Sequence, residues 1–382
     1  MCGKHNILYG KNIDMGMKTN ENFDRQTDRQ TDRQTDRQTD RQTDRQRNEN
    51  IDLIRAMACL AVVGLHSFAK DEDISSWFYY LCGFAVPFFF MASGFFLLNR
   101  GRLRWMYCVS KILGIIKIVF GWNALMILLK VMKSILTNEQ ISYNLLSIPV
   151  ECVKSLVQKG NMWQLWYLGA LLLLYGMVWG ISRFNDSQKT WTMIACAMIG
   201  IAISMYSLLC REILEANVVQ TFRLWIWLFY FILGSNMDKF TRFIQKYLSL
   251  RMHIFLAVIM TVLNIAWQEY ISCLLWSTLG ETRIYAEYYY DNVFEMMWII
   301  CIFSALLRVS LSEKLVTWIK WFVPLSLGIY IVHPIILRYV MQLIGNKLIW
   351  QSALVWFLTI VISTIFTWLI AHTHLKNFLM KI

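Results

Sequence analysis

Charge is what this sequence has least of. An ordinary soluble domain is about 25% charged and roughly 45–50% apolar. Here 16% of the 382 residues are charged and 57% are hydrophobic, with 17 Trp, 23 Phe and only four Pro. The first fifty residues are nearly all polar, so the rest is more apolar still. A soluble protein of this size cannot hide so much apolar surface, whereas a polytopic α-helical membrane protein can. The apolar stretches are long and continuous rather than alternating, which argues against a membrane β-barrel.

Ordered cysteine spacing is also missing. Nine cysteines include no CxxC pair, and Cys59, Cys82, Cys108, Cys196 and Cys301 sit in or at the ends of apolar stretches. There they act as small hydrophobes, so neither a disulfide framework nor a zinc or other metal site is expected. No short apolar segment opens the chain, and no cleavable signal peptide is expected. Nor is there a Walker loop, a dinucleotide-type glycine pattern or an HExxH pair, and so nothing points to ATP-driven transport or a metalloprotease.

The net charge is +12. Residues 1–50 hold 10 Lys/Arg and 9 Asp/Glu, a balance of +1, which leaves +11 for the hydrophobic part. No basic helix or aromatic–basic module stands out, so no nucleic-acid partner is expected. Basic residues between apolar spans set topology instead.

The polar N-terminal segment is a repeat. Asp24 to Thr43 reads DRQT five times, and a partial sixth copy runs into Arg47. With almost no apolar residue it cannot bury a core, and disorder is the expectation over 1–49. The period of four sets Arg against Arg at i,i+4, which disfavours a helix. The codons GAC AGA CAG ACA encode Asp-Arg-Gln-Thr and are GACA repeated, a tract that slips in replication. Phase variation of a bacterial gene is one reading, and a repetitive linker written in mixed codons is the other.

A bilayer span needs about 20 mostly apolar residues. Ten such stretches run approximately over 51–69, 77–98, 108–132, 163–182, 190–210, 222–237, 252–271, 291–309, 322–343 and 349–371. The stretch 141–158 is amphipathic and reads as interfacial. Ten spans put both termini on one side. The loops of that side hold Arg100, Arg102, Arg104, Lys111, Arg183, Lys189, Lys239, Arg242, Lys246, Arg251, Arg308, Lys314 and Lys320, while the acidic, aromatic stretch Glu281–Asp291 lies opposite. The positive-inside rule makes the termini cytoplasmic. The expected layout is an all-α polytopic membrane protein: a repeat tail over 1–49, a transmembrane domain over 50–374 and a short cytoplasmic tail over 375–382.

Ionisable residues inside spans are costly and mark function by default. The first span carries Asp52, Arg55 and His66. Eleven residues at 100° each come to three turns plus roughly 20°, so Arg55 and His66 share a face with ~16 Å of rise between them. Asp52 stands three residues before Arg55 and can pair with it. Taken singly, Arg55 also fits a snorkelling boundary residue and His66 a packing hydrogen bond. In the ninth span Ser326, Tyr330 and His333 fall at i, i+4 and i+7 on one face. Pro334 follows and frees the carbonyl of Tyr330. A broken span beside a polar stripe lines a cavity or site, or is a kink with a structural histidine.

Two further stretches carry chemistry or packing. Ser93–Gly94 is a small step in an aromatic span, which suits close helix approach; a nucleophilic serine is the alternative. Asn99–Arg100–Gly101–Arg102–Leu103–Arg104 is a compact basic loop that either holds phosphates or fixes topology.

These residues, taken in order, resemble the membrane acyltransferase-three family, integral O-acyltransferases that modify bacterial surface glycans. Arg55 and His66 match its first-span Arg, ten residues, His. Pro87–Phe88–Phe89–Phe90–Met91–Ala92–Ser93–Gly94–Phe95 matches its aromatic Pro-Phe-Phe-x-x-Ser-Gly-Phe stretch with one extra residue. Arg100, Arg102 and Arg104 match the basic residues that follow. Trp166–Tyr167–Leu168 opens the fourth span as in the family, and Ser326, Gly328, Tyr330 and His333 match a late Ser-x-Gly-x-Tyr-x-x-His. The similarity covers about residues 50–374, with no hydrolase-like domain appended after it.

The resemblance implies a bacterial inner-membrane enzyme that moves an acyl group, acetyl by family frequency, from acyl-CoA to a sugar hydroxyl. The expected glycan is lipooligosaccharide, O-antigen, enterobacterial common antigen or capsule. No permanently bound cofactor is implied; acetyl-CoA is a co-substrate, and membrane lipid and the glycan acceptor are the other partners. His66 becomes the general base, and Arg55 with Arg100, Arg102 and Arg104 holds the CoA phosphates. His333 and Tyr330 orient the base or the acceptor, with Ser93, Ser326 and Trp166 as lesser candidates. A transporter or flippase of a lipid-linked glycan is the competing reading, but such proteins show corresponding interrupted spans in two halves, and no clear halves occur here.

Overall fold

The computed structural model describes residues 48–71, 73–138, 144, 146–279 and 283–380. The DRQT tract and its expected disorder lie outside the described residues. Among those described there are helices and turns but no strand.

The helices are α1 (Glu49–Ser67), α2 (Asp73–Leu81), α3 (Ala85–Leu98), α4 (Trp105–Leu136), α5 (Ser147–Leu156), α6 (Trp166–Ile181), α7 (Asp186–Cys210), α8 (Leu224–Gln245), α9 (Leu250–Leu279), α10 (Val293–Leu306), α11 (Glu313–Phe322), α12 (Ser326–Ile344), α13 (Ile349–Ala371) and α14 (Lys376–Leu379). Eight candidate spans among the described residues are long and apolar enough to cross a membrane. In two of them a short turn joins helices end to end, α2 to α3 and α11 to α12. All ten apolar stretches are helical, but two fall short of the span criterion. Asn236, Asp238 and Lys239 dilute the second half of α8, and α10 has only 14 residues. Of the amphipathic stretch 141–158, residues 141–143 and 145 lie outside the described residues, and Ser147–Leu156 form α5, which packs on α4 and α6.

Two devices hold the bundle around the site. The first is backbone contact between α3 and α8, the most extensive helix pair. A Cβ on Gly94 would stand 1.7 Å from the Phe231 carbonyl oxygen, and one on Gly234 would stand 2.0 Å from that of Met91. Glycine at both places is a condition of the approach, as small residues are between membrane helices. The second is the α12–α13 hairpin. Ser352, Val355, Thr359, Ser363 and Thr367 form a fully buried stripe along α13, and a Cβ on Gly328 of α12 would lie 2.3 Å from Thr367 Cγ2.

Longer-range hydrogen bonds fix α1 at its start and near its middle. Asn50 Nδ2 donates to the carbonyls of Leu306 and Val309, at 2.8 Å each, where α10 ends. Trp356 Nε1 donates to Leu60 O at 3.0 Å. Near the C-terminus, Trp122 Nε1 donates to Leu379 O at 2.9 Å, docking α14 against α4.

Candidate active site

Two cavities lie end to end along α1. The inner one, about 210 Å³, is lined by Arg55, Phe89, Ser93, Tyr167, Ser326 and Tyr330 among others. The outer one, about 390 Å³, is lined by His66, Trp163, Gln164, Trp166, Gln220, Glu287 and again Tyr330 among others. The face shared by Arg55 and His66 is thus divided, with Arg55 in one chamber and His66 in the other. Tyr330 is the residue common to both.

α1 brings its basic groups to these places by different means. Arg55 is paired one turn back, with Nη1 3.3 Å from Asp52 Oδ1. Asp52 is buried, so the guanidinium keeps a fixed counter-ion while part of it faces the cavity. His66, in the last turn of α1, is held by rings. His333 stacks on it with centroids 5.4 Å apart and 25° between planes. Trp163 meets it edge-on at 5.3 Å.

Pro334 explains His333. Proline has no N–H to give the carbonyl four residues back. That carbonyl, Tyr330 O, lies 2.7 Å from His333 Nδ1. A carbonyl only accepts, so Nδ1 carries the proton and Nε2 carries the lone pair. His333 Nε2 is buried and has no partner among the described residues. One turn earlier, the Tyr330 hydroxyl donates to Gln164 O, and the Tyr330 ring meets Tyr167 at 5.6 Å. The stripe Ser326, Tyr330, His333 therefore runs from the inner chamber to the outer histidine pair.

The remaining candidates are placed less centrally. Ser93 lines the inner cavity with its hydroxyl donating to Phe89 O at 2.8 Å. Ser326 also lines it, donating to Val323 O at 2.8 Å. Trp166 lines the outer cavity. Arg100, Arg102 and Arg104 do not line the inner chamber. Arg100 Nη1 instead donates to Tyr107 Oη at 2.9 Å, and the Arg102 and Arg104 side chains are exposed. Among the described residues no group of three or more His, Cys, Asp or Glu is placed to hold a metal ion.

Several lining residues escape a reading of the sequence. Gln158, Gln164, Gln220 and Glu287 reach the outer cavity from three separate connections. A lone amide between Trp163 and Trp166 was a visible signal for Gln164, and the acidic, aromatic stretch was one for Glu287; nothing marked Gln158 or Gln220. The roof is clasped. Lys70 Nζ donates to Arg283 O at 2.6 Å, Arg283 Nη1 to Lys70 O at 3.3 Å, and Arg283 Nε to Glu269 Oε2 at 2.9 Å. Ala286 N donates to Tyr79 Oη at 3.0 Å. Arg223 is buried beneath, donating to Val218 O and Glu287 O at 2.9 and 3.1 Å.

Such a site offers two stacked imidazoles, His66 and His333, a paired guanidinium roughly three turns from His66 along α1 and an aromatic wall between them. A family model described as an acyltransferase domain, acyltransferase family 3, matches residues 48–372. No curated protein and no solved structure matches the chain. With that match spanning the whole bundle, the chain belongs to acyltransferase family 3.

Proposed function

We propose that this protein is an O-acyltransferase of the bacterial inner membrane. It moves an acyl group, acetyl foremost, from acetyl-CoA to a sugar hydroxyl of a surface glycan such as lipooligosaccharide, O-antigen, enterobacterial common antigen or capsule. The observation that carries the reading is the pair of chambers along α1, with Arg55 in the inner and His66 in the outer. The positive-inside distribution of Lys and Arg puts the Arg55 end at the cytoplasm, where CoA is.

In this scheme Arg55 takes a CoA phosphate as a charge-assisted partner. The basic loop, outside the chamber, attracts the nucleotide end from the water. The pantetheine arm runs past Tyr330 and presents the thioester to His66. The acceptor hydroxyl gives its proton to the imidazole as its oxygen attacks the thioester carbon. The new C–O bond forms, the C–S bond breaks, and the sulfur leaves with the proton returned from His66 as the free thiol. Stacked His333 and edge-on Trp163 hold the His66 ring in line. The serine route would need Ser93 activated by a base, and its hydroxyl is turned to Phe89 O instead.

The test is direct. Surface glycans from cells with and without the gene are compared by mass spectrometry, and purified protein is incubated with labelled acetyl-CoA and glycan from the deletion strain. Gene-dependent acyl esters on the glycan, formed from labelled acetyl-CoA, support the reading. Identical glycans and no label transfer sink it.

A further inference from the structure

Two buried hydrogen-bond acceptors are left over in the lining of the outer chamber, Gln164 Oε1 and Gln220 Oε1. Gln164 Nε2 donates to Ile331 O at 2.8 Å. A carbonyl cannot donate, so the amide orientation is fixed and Oε1 is left over. That Oε1 is buried and has no partner among the described residues, in a residue only 2% exposed that lines the chamber. Gln220 Oε1 is likewise buried and has no partner among the described residues, in a lining residue 1% exposed. A buried acceptor left unmade costs about 1–3 kcal/mol, so two in one chamber call for a donor from outside.

The charges in the chamber agree with that. Lys70 is the one ammonium among the lining residues, and it is engaged by Arg283 O, by Asp71 at 3.6 Å and by the Tyr285 ring at 4.3 Å. Glu287 brings a carboxyl, which burial pushes up against the pull of Arg223 and Gln220. Trp163, Trp166, Tyr79, Tyr285 and Tyr290 supply ring faces and edges. Rings pack against C–H faces, while carbonyl oxygens take O–H and N–H donors.

We infer that the outer chamber reads its acceptor as a donor: it takes an uncharged sugar residue, bearing hydroxyl or acetamido N–H groups, on Gln164 Oε1 and Gln220 Oε1, and rejects sugars that carry a carboxylate or phosphate. The inference rests on the acyltransferase reading above and goes beyond it by fixing the acceptor's charge class. The chamber volume of about 390 Å³ lies in the range of small-ligand sites, about 300–1,000 Å³.

Two measurements test it. In the first, the acyl ester whose presence depends on the gene is located by tandem mass spectrometry. It is expected on a neutral hexose, deoxyhexose or N-acetylated sugar. An ester on a uronic, ulosonic or phosphorylated residue overturns the inference while leaving the acyltransferase reading intact. No gene-dependent ester at all sinks that reading, and the inference with it. In the second, Gln164→Met and Gln220→Met are assayed with glycan from the deletion strain. Removing one acceptor should raise KM for the glycan about three- to tenfold, the worth of one neutral hydrogen bond, with KM for acetyl-CoA unchanged. Unchanged glycan KM in both variants, or an equal rise for both substrates, overturns the assignment. Should either variant fail to fold, the location of the ester decides alone.

Discussion

The imidazoles of His66 and His333 lie ring on ring, 5.4 Å between centroids, though 267 residues separate them in the chain. One comes from the last turn of α1 and the other sits beside the only proline inside α12. The stack joins the two polar stripes of the sequence into one site, and in the proposed scheme it holds the proton acceptor in place.

His66→Ala should therefore remove glycan acylation while the protein still inserts and binds acyl-CoA. The loss expected for a general base is ~10²–10⁴ in rate. His333→Ala should cost less, since His333 acts through His66. Turnover with saturating acetyl-CoA distinguishes them, and a His66→Ala protein with normal turnover would refute the assignment.

Arg55→Ala should chiefly weaken acetyl-CoA binding, and Arg55→Lys should retain part of it, because an ammonium keeps the charge but loses the bidentate fork. Isothermal titration in detergent measures this. Parental affinity in Arg55→Ala would reduce Arg55 to the partner of Asp52.

Gly94→Val should destabilise the bundle. The added carbon meets backbone, the Phe231 carbonyl, and a backbone atom cannot turn aside as a side chain can. Overpacking costs typically ~1–3 kcal/mol, and more when nothing yields. A lowered melting temperature or loss of monodisperse protein is the expected result, with Gly176→Ala, which meets no atom within 4 Å, as the neutral control.

Acid should loosen the connection before Trp163. Burial works against ionising Glu151, but Lys154 Nζ at 3.0 Å and the Asn161 backbone N–H at 3.1 Å outweigh it and hold the carboxyl below the ordinary value of 4.5. A lowered folded pKa means stability that is present above the ordinary value and lost as pH falls through the lower, folded one. Thermal melts from pH 6 down to about 3 should show that loss, and Glu151→Gln should lower the neutral-pH stability and flatten the acid limb. An unchanged acid limb in Glu151→Gln would remove the role.

The tail should be silent in catalysis. Adding or removing whole DRQT units should leave activity per molecule unchanged, while a shift of one GACA unit should abolish the protein. Both are read by blotting and acylation assay at matched expression. Reduced activity per molecule across the repeat series would assign the tail a regulatory part.

Much of this architecture was legible because helices repeat at 3.6 residues. Arg55 with His66, and Ser326 with Tyr330 and His333, are faces that periodicity reveals, and each face lies where the chambers run. The division between chambers was not legible, because Tyr330 separates them only once α12 is set against α1 and α6. Gln158, Gln164, Gln220 and Glu287 come from connections rather than helix faces, and no period joins them. The basic loop shows the converse: three arginines in five residues are conspicuous in sequence, yet none lines the inner cavity.

Tyr330 as the wall common to both cavities carries a further consequence. A cell lives on ion gradients across its membranes, and an open aqueous bore through a membrane bundle would discharge them. One phenol ring, tied by its hydroxyl to Gln164 O and flanked by Tyr167, borders both chambers. In the proposed scheme a thin thioester arm displaces that ring to pass and fills the gap that it makes. On that scheme the same residue would insulate the membrane at rest and sleeve the substrate in use, so a smaller side chain at this position is expected to leak protons before it loses activity.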